Sequence, residues 1–464
     1  MFVAMVLLHG MSPTSYLMGD FRAFYCAGKA IAQGANPYLE EPLRACESVA
    51  GPPREPVVLR SVALPAPLPP HALLLFVPLG MLPFPLAAGL YCALLFASMA
   101  LSVAAFSRIT GASTLALNIV FAAISATVTY YVGQPVPFVL LALAAAAISV
   151  RAGRWIAAGA CAAAATIEPH VALPAIAGML LAFPRARVPV FSFTLGVTAA
   201  GAIALGIPLT VGYLVDVVPA HALANAYEWQ FSLTSLLTSL GVGAPLAIRS
   251  GEIMFGVMTA LGVWIAWRLM RMSGDRALML IVPPAFAVFG GVHVHFQQIA
   301  AAFPAILYVA VRYPQVRMLA ACALGLSMIP WNVMGSSPIA GLAPLIVGAF
   351  GAMSVGRRAG LVMSLVAALI VLSMIPLAYL GFGPAAAHFV PHQYPPGALA
   401  ELSWSDFSRA ALMRPSLMMQ WLRIPTLVGL ACGLAAIAWI ACVLPQRVAP
   451  SSHAALGQGV VSCA

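Results

Sequence analysis

The sequence predicts an all-α protein that crosses a membrane many times. Of its 464 residues, 62% are hydrophobic and only 7% are charged, whereas about a quarter of the residues in a soluble domain are charged. The mean hydropathy is +0.99. Apolar runs of about 20 residues recur along the chain, and each is long enough to cross a bilayer as a helix. A polytopic membrane protein is therefore the expected fold class.

We expect about 11 to 13 membrane helices within a single integral-membrane domain over residues 1–464. A short first helix is expected to end near residue 18. The run after Pro69 and Pro70 is too short to cross, which favours an interfacial or re-entrant helix there. Full spans are predicted at residues 86–107, 113–132, 136–150, 188–208, 252–270, 277–292, 296–311, 318–334, 338–354, 359–380 and 425–444.

The segment 155–183 is apolar but carries Glu168-Pro169-His170 at its centre. The break predicts two half-helices that return to the same side. Ionisable groups at membrane depth are costly and are candidates for function. We therefore assign Glu168 and His170 to a functional cavity, the alternative being a protonated Glu168 that is hydrogen-bonded in a helix break.

The distribution of basic residues predicts the orientation. The net charge is +10, but the arginines are scattered between apolar runs, so nucleic-acid binding is not expected. By the positive-inside rule the short arginine-bearing turns face the cytoplasm. Three long segments, 19–68, 209–250 and 381–424, then form polar loops outside. We expect a multi-pass protein of a bacterial inner membrane.

Polar groups are crowded in the stretch Gly19 to Pro42. Asp20 stands at a predicted membrane boundary, where partial burial would raise its pKa and make it a better base. The alternatives are a solvated loop side chain or a helix N-cap. Arg22 and Lys29 could pair with a phosphate, or their side chains could reach toward lipid headgroups.

This stretch resembles a known family. Asp20-Phe21-x-x-Phe24-Tyr25-x-Ala27-Gly28, followed by Gly34-x-x-Pro37-Tyr38, is similar to the first-loop signature of glycosyltransferase family 87. Further pieces follow in order over roughly residues 19–310: Pro69-Pro70-His71, Gly133-Gln134, Asn225 to Ser232, and His293-Val294-His295-Phe296. One departure is Glu168-Pro169, where the family usually has Lys-Pro.

The resemblance implies a GT-C fold and an inverting hexosyltransferase. The donor would be a polyprenyl-phosphate sugar, with mannose as one candidate, and the acceptor a lipid or glycan on the periplasmic face. Asp20 takes the position of the general base. Donor or substrate contacts are expected from Arg22, Tyr25, Lys29, Gln134, Glu168, His170, Gln230, His293 and His295. Membrane lipids are the remaining expected partners, and no cofactor is expected.

No metal site is expected. His293 and His295 are two residues apart, which is poor spacing for chelation from a helix, and no acidic cluster is near them in sequence. Glu228 and Gln230 are candidate partners for sugar hydroxyls, with interfacial packing as the alternative reading of the histidines. Cys26 and Cys46 share one external loop, so they could form a disulfide or remain two free thiols.

Two other functions are consistent with the membrane architecture. A secondary transporter could use Glu168-Pro169 as a broken-helix coupling site. A non-catalytic membrane scaffold would keep the fold without the reaction, and the glycans of its cells would not change when Asp20 is replaced.

Overall fold

The computed structural model describes residues 18–50, 62–124, 132–331, 341–379, 394–395, 397–411 and 421–443. Within these ranges the regular structure is helical, apart from one isolated antiparallel bridge between Leu39 and Leu399. The predicted all-α fold class is confirmed. The predicted first helix lies outside the described residues, except for Met18.

The helices of the N-terminal half build the part of the bundle that begins with the crowded polar stretch. They are α1 (Gly19–Ala32), α2 (Glu40–Ala50), α3 (Pro70–Leu73), α4 (Val77–Gly80), α5 (Phe84–Thr110), α6 (Thr114–Ile124), α7 (Val136–Arg151), α8 (Trp155–Ala164), α9 (Pro169–Ala182) and α10 (Pro184–Leu205). Short 3₁₀ turns join two of these pairs, at Leu74–Phe76 and at Ala165–Ile167.

The C-terminal half contains the long helix α14 and the buried helix α15. Its helices are α11 (Ile207–Gly212), α12 (Val218–Ala226), α13 (Leu233–Ser239), α14 (Ala244–Ser273), α15 (Leu278–Gly290), α16 (Phe303–Arg312), α17 (Arg317–Ser327), α18 (Ala343–Ser354), α19 (Arg357–Tyr379), α20 (Ala400–Ala411) and α21 (Ile424–Val443). A π-helical stretch, Tyr213–Val217, joins α11 to α12, and 3₁₀ turns occur at Gln298–Ala302 and Pro314–Val316.

Five helices in the described ranges are long and apolar enough to cross a membrane. They are Phe84–Thr110, Pro184–Leu205, Ile207–Ala226, Ala244–Ser273 and Ile424–Val443. A bent pair around residue 313, with an angle of 117°, could add one more crossing. Six further apolar helices of this part have 10–17 residues, and α19 has 23 residues. The predicted number of 11 to 13 is reached only when these helices are counted.

The predicted polar loop over residues 209–250 is wrong in its first part. Residues 207–226 form a continuous helical segment of 20 residues that is apolar enough to span. Ile207, Leu214 and Val215 are exposed on its surface, where lipid would cover them. The polar residues Asp216 and His221 interrupt the apolar pattern and conceal this helical segment in the sequence.

The segment 155–183 turns back on itself, as predicted. The turn falls at Glu168, between α8 and α9. The rings of Trp155 and Phe183, at the far ends of the two half-helices, have centroids 5.5 Å apart. The segment therefore begins and ends on the same side of the bundle.

The first and last predicted external loops meet in space. The amide of Glu40 donates to the carbonyl of Ala398 at 2.9 Å, and the amide of Ala400 donates to the carbonyl of Tyr38 at 3.0 Å. These bonds join the start of α2 to the start of α20. Both loops therefore lie at one end of the bundle.

Candidate active site

Asp20 lies in the first turn of α1 and receives a hydrogen bond from Nε2 of Gln134 on its Oδ2 atom. The preceding Gly133 has φ of 78°, a left-handed conformation that favours glycine. A Cβ on Gly133 would lie 2.7 Å from the Cβ of Phe21. Glycine thus lets this turn approach α1 closely enough for Gln134 to reach Asp20.

The surroundings of Asp20 suit a base. Burial raises the pKa of Asp20 to about 7. The hydrogen bond from Gln134 and the charge of Arg22 oppose this rise, and the carboxyl group of Glu228 adds to it. A carboxyl group that titrates near neutral pH can accept a proton efficiently at that pH.

Two further acids lie close enough to Asp20 to interact with it electrostatically, namely Glu168 and Glu228. Nε2 of Gln298 donates to Oε2 of Glu168 at 3.4 Å. The indole N–H of Trp404 donates to Oε1 of Glu228. Burial raises the pKa of Glu228 to about 7, against the hydrogen bonds of Trp404 and Gln230.

Four histidines surround these acids. The ring centroids of His170 and His293 are 4.6 Å apart, and those of His221 and His293 are 5.6 Å apart. Nε2 of His170 lies 3.7 Å from Oε2 of Glu168, and Nε2 of His295 lies 3.7 Å from Oε2 of Glu228. Acids and imidazoles therefore form one cluster.

Burial holds the loop histidines neutral. It lowers the pKa of both His293 and His295 to about 4, and the neighbouring His295 adds to the effect at His293. Nε2 of His170, Nδ1 of His221 and Nδ1 of His293 make no hydrogen bond to any described residue. These nitrogens could instead bind oxygens of a ligand.

Side-chain amides fix the loop that carries the histidines. Oε1 of Gln298 accepts the amide N–H of His295 at 2.7 Å. Oε1 of Gln230 accepts the amide N–H of Val294 at 3.0 Å, and its Nε2 donates to Oδ1 of Asn225 at 2.6 Å. Because these groups are buried and paired, the loop has one arrangement.

The cluster keeps partial contact with solvent. The side chains of His170 and His295 are 27% and 31% exposed, although protein surrounds both. Asp20, His221 and His293 are likewise neither fully buried nor exposed. These side chains therefore line a recess rather than a closed core.

Tyr25 and Lys29, two further sequence-predicted residues, lie away from the cluster. Tyr25 donates its hydroxyl to the carbonyl of Leu82 at 2.8 Å, a packing contact. Lys29 stands in the last turn of α1, roughly 13 Å along the axis from Asp20. Arg22 is buried. Cys26 is joined to Cys46 by a disulfide bond that ties α1 to α2.

The structure adds three residues that were not predicted from the sequence. Trp404 comes from the last predicted external loop, 176 residues from Glu228. His221 lies in the helix mistaken for a loop, and Gln298 follows His295 by three residues. A polar run from His293 to Gln298 inside an apolar region was the signal for Gln298. In the described ranges, no three His, Cys, Asp or Glu side chains are grouped to hold a metal ion.

These features define a multi-pass helical membrane protein with an acid and histidine recess at one end. Residues 68–289, just under half of the chain, match the model of glycosyltransferase family 87. The predicted family resemblance is thereby confirmed over this range, and the match favours a membrane glycosyltransferase. No curated protein and no solved structure matches the chain significantly.

The family match contains part of the cluster. Gln134, Glu168, Glu228 and Gln230 lie inside the matched range, whereas Asp20 precedes it. His293 and His295 follow its end by a few residues. The folded chain brings residues inside and outside the match into one recess.

Proposed function

We propose that the chain transfers a hexose, with mannose as the first candidate, from a polyprenyl-phosphate donor. The acceptor is a hydroxyl of a lipid or glycan on the periplasmic face of a bacterial inner membrane. The observation that carries the proposal is the Asp20 carboxyl group, which has a pKa near 7 within the histidine-lined recess.

The proposed reaction is a single displacement with inversion, as in GT-C enzymes. The acceptor oxygen attacks the anomeric carbon of the sugar and forms the new glycosidic bond. The bond from that carbon to the phosphate oxygen breaks, and its electron pair leaves with polyprenyl phosphate. Asp20 takes the proton of the acceptor hydroxyl. The transfer changes no oxidation state, so it requires no oxidant or reductant.

The neutral imidazoles suit donor recognition. Each can donate one N–H without adding a buried charge, and the unpaired nitrogens of His170, His221 and His293 belong to this group. Such donors aimed at phosphate or sugar oxygens would stabilise the leaving group. Arg22 and Lys29 stay candidates for the phosphate, with Arg22 the nearer to Asp20 along α1.

Glu228 and Trp404 fit a sugar-binding role. The carboxyl group of Glu228 is held by the Trp404 indole and faces His295. Such a carboxyl group can accept hydrogen bonds from sugar hydroxyls. Gln134 has a different task, since its amide orients Asp20.

The test is a donor comparison with purified protein reconstituted in liposomes. A polyprenyl-phosphate hexose and the matching nucleotide sugar are supplied separately, each with and without EDTA. We expect transfer from the lipid-linked donor alone and little effect of EDTA. Transfer from the nucleotide sugar alone, or complete loss of activity with EDTA, would contradict the proposed donor and mechanism.

A further inference from the structure

The end of the bundle opposite Asp20 contains a basic recess. A cavity of about 520 Å³ is lined by Trp155, Phe183, Arg185, Met270 and Arg276, among others. Both arginines are exposed, and the guanidinium of Arg276 lies 5.9 Å from the centre of the Trp155 ring. The recess thus combines two cations with an apolar wall.

Asp275, which precedes Arg276 in the sequence, already forms an ion pair with Arg151. Nε of Arg151 donates to Oδ1 of Asp275 at 2.7 Å, and its other nitrogens donate to the carbonyls of Arg108 and Ile109. Neither Arg185 nor Arg276 forms an ion pair with a carboxylate of the described residues. The recess therefore carries net positive charge.

An apolar groove lies next to this recess. A second cavity of about 580 Å³ lies between α9 and α14 and is lined by Leu181, Phe255, Trp264 and Trp267, among others. Ala182 lines both cavities. A basic pocket beside an apolar groove matches a molecule with an anionic head and a hydrocarbon tail.

The recess is separate from the active site. Glu168 and Ala182 stand at opposite ends of α9, which has 14 residues and is therefore roughly 21 Å long. Ligand bound at Arg185 would not touch the histidine cluster. The short turns at this end are also the ones expected to face the cytoplasm, where anionic lipids are abundant.

We propose that this recess binds an anionic glycerophospholipid. Its phosphate lies between Arg185 and Arg276, and one acyl chain occupies the groove beside Trp264 and Trp267. The positive charge of the recess and the apolar groove next to it favour a lipid over a soluble anion. The site is independent of the proposed transferase chemistry.

The head-group test uses native mass spectrometry of the purified protein. Phosphatidylglycerol and phosphatidylcholine with the same acyl chains are titrated separately. We expect phosphatidylglycerol to bind about tenfold or more tightly, because its phosphate charge is uncompensated, whereas the choline cation of phosphatidylcholine offsets that charge and is repelled by the two arginines. The double variant R185Q/R276Q should lose this preference. The matched control R357Q/R358Q removes two exposed arginines elsewhere and should keep it.

The groove is tested by filling it. Gly256 lines the groove, and a Cβ added there meets no atom within 4 Å. Gly256→Leu should weaken both lipids, whereas Gly196→Leu, at a similarly open helical glycine, should weaken neither. Size-exclusion elution checks that each variant is folded.

Four results would overturn the proposal. Wild-type protein could bind both phospholipids equally, or R185Q/R276Q could bind phosphatidylglycerol as well as wild type does. Glycerol phosphate could displace phosphatidylglycerol at equal concentration, which would indicate a site for soluble anions. A preference for polyprenyl phosphate at this recess would assign it to a substrate lipid instead.

Discussion

The two ends of the helix bundle handle charge in opposite ways. At the Asp20 end, acids and histidines are enclosed by protein and held by partners from distant segments, such as Gln134 and Trp404. At the other end, arginines are exposed or rest on aromatic rings, as Arg271 does at 4.9 Å from the centre of the Trp267 ring. The same helices connect both ends, since α7 runs from the Gln134 turn to Arg151.

The two ends differ in how much free energy it costs to place a charged group there. An arginine at a helix end keeps its charge in water while its stem covers apolar surface. A buried carboxyl group loses hydration and persists only with compensating partners or a function. We therefore expect the histidine-lined end to carry the chemistry, and the arginine end to set the orientation and to contact lipid.

Labelling tests which end faces outward, and it should give an all-or-none result. Leu402 and Met353 are exposed, at 41% and 47%. Cysteine at Leu402 should react with a membrane-impermeant thiol reagent in intact cells, whereas cysteine at Met353 should react only after lysis. The unmutated protein supplies the background, and the reverse pattern would invert the orientation of the two ends.

Asp20→Asn should have the largest effect on activity. The change is nearly isosteric but removes the proton acceptor, so we expect a loss of about 10²–10⁴-fold in turnover. Asp216→Asn is the matched control, because Asp216 is exposed in a different helix. Turnover of purified reconstituted protein is measured, and normal turnover in Asp20→Asn would exclude this residue as the base.

The pH profile should follow the Asp20 carboxyl group. The base acts when ionised, and its pKa is raised to about 7, so kcat/KM should fall about tenfold per unit below pH 7 and level off above it. Gln134 lowers this pKa, so Gln134→Leu should move the midpoint upward. A flat profile between about pH 5.5 and 8.5 would contradict the assignment.

Trp404→Phe should have a smaller effect, about tenfold on kcat/KM, since it removes one hydrogen bond to a carboxyl group. The ring and its packing stay, so the protein should remain folded. Trp439→Phe is the control, because Trp439 is 54% exposed on α21. Equal activities of the two variants would show that the contact between Trp404 and Glu228 does not support catalysis.

Local sequence patterns predicted the helices well because each span carries its own apolar run. The predicted span at 425–444 is observed as Ile424–Val443, and the break at Glu168-Pro169 is the observed turn. The helix over residues 207–226 was wrongly predicted as part of a polar loop, because its few polar residues interrupt the apolar pattern. Helical segments were predicted best where proline or arginine marked their ends.

The recess was predictable only in part. Asp20, Gln134 and His293 were selected from the motif resemblance, and folding brings them into the same region. Trp404 and His221 have no local signature, because their positions depend on tertiary packing between segments far apart in sequence. Tyr25 stood inside the motif, yet its hydroxyl binds a backbone carbonyl.

The covalent link between Cys26 and Cys46 bears on when the protein matures. It ties the helix that carries Asp20 to α2, whose first residue is hydrogen-bonded to the segment before α20. Such links persist in the periplasm and are reduced in the cytosol. With the predicted orientation, we expect the helix that carries the proposed base to acquire this anchor only after export, which would couple assembly of the recess to arrival in the periplasm.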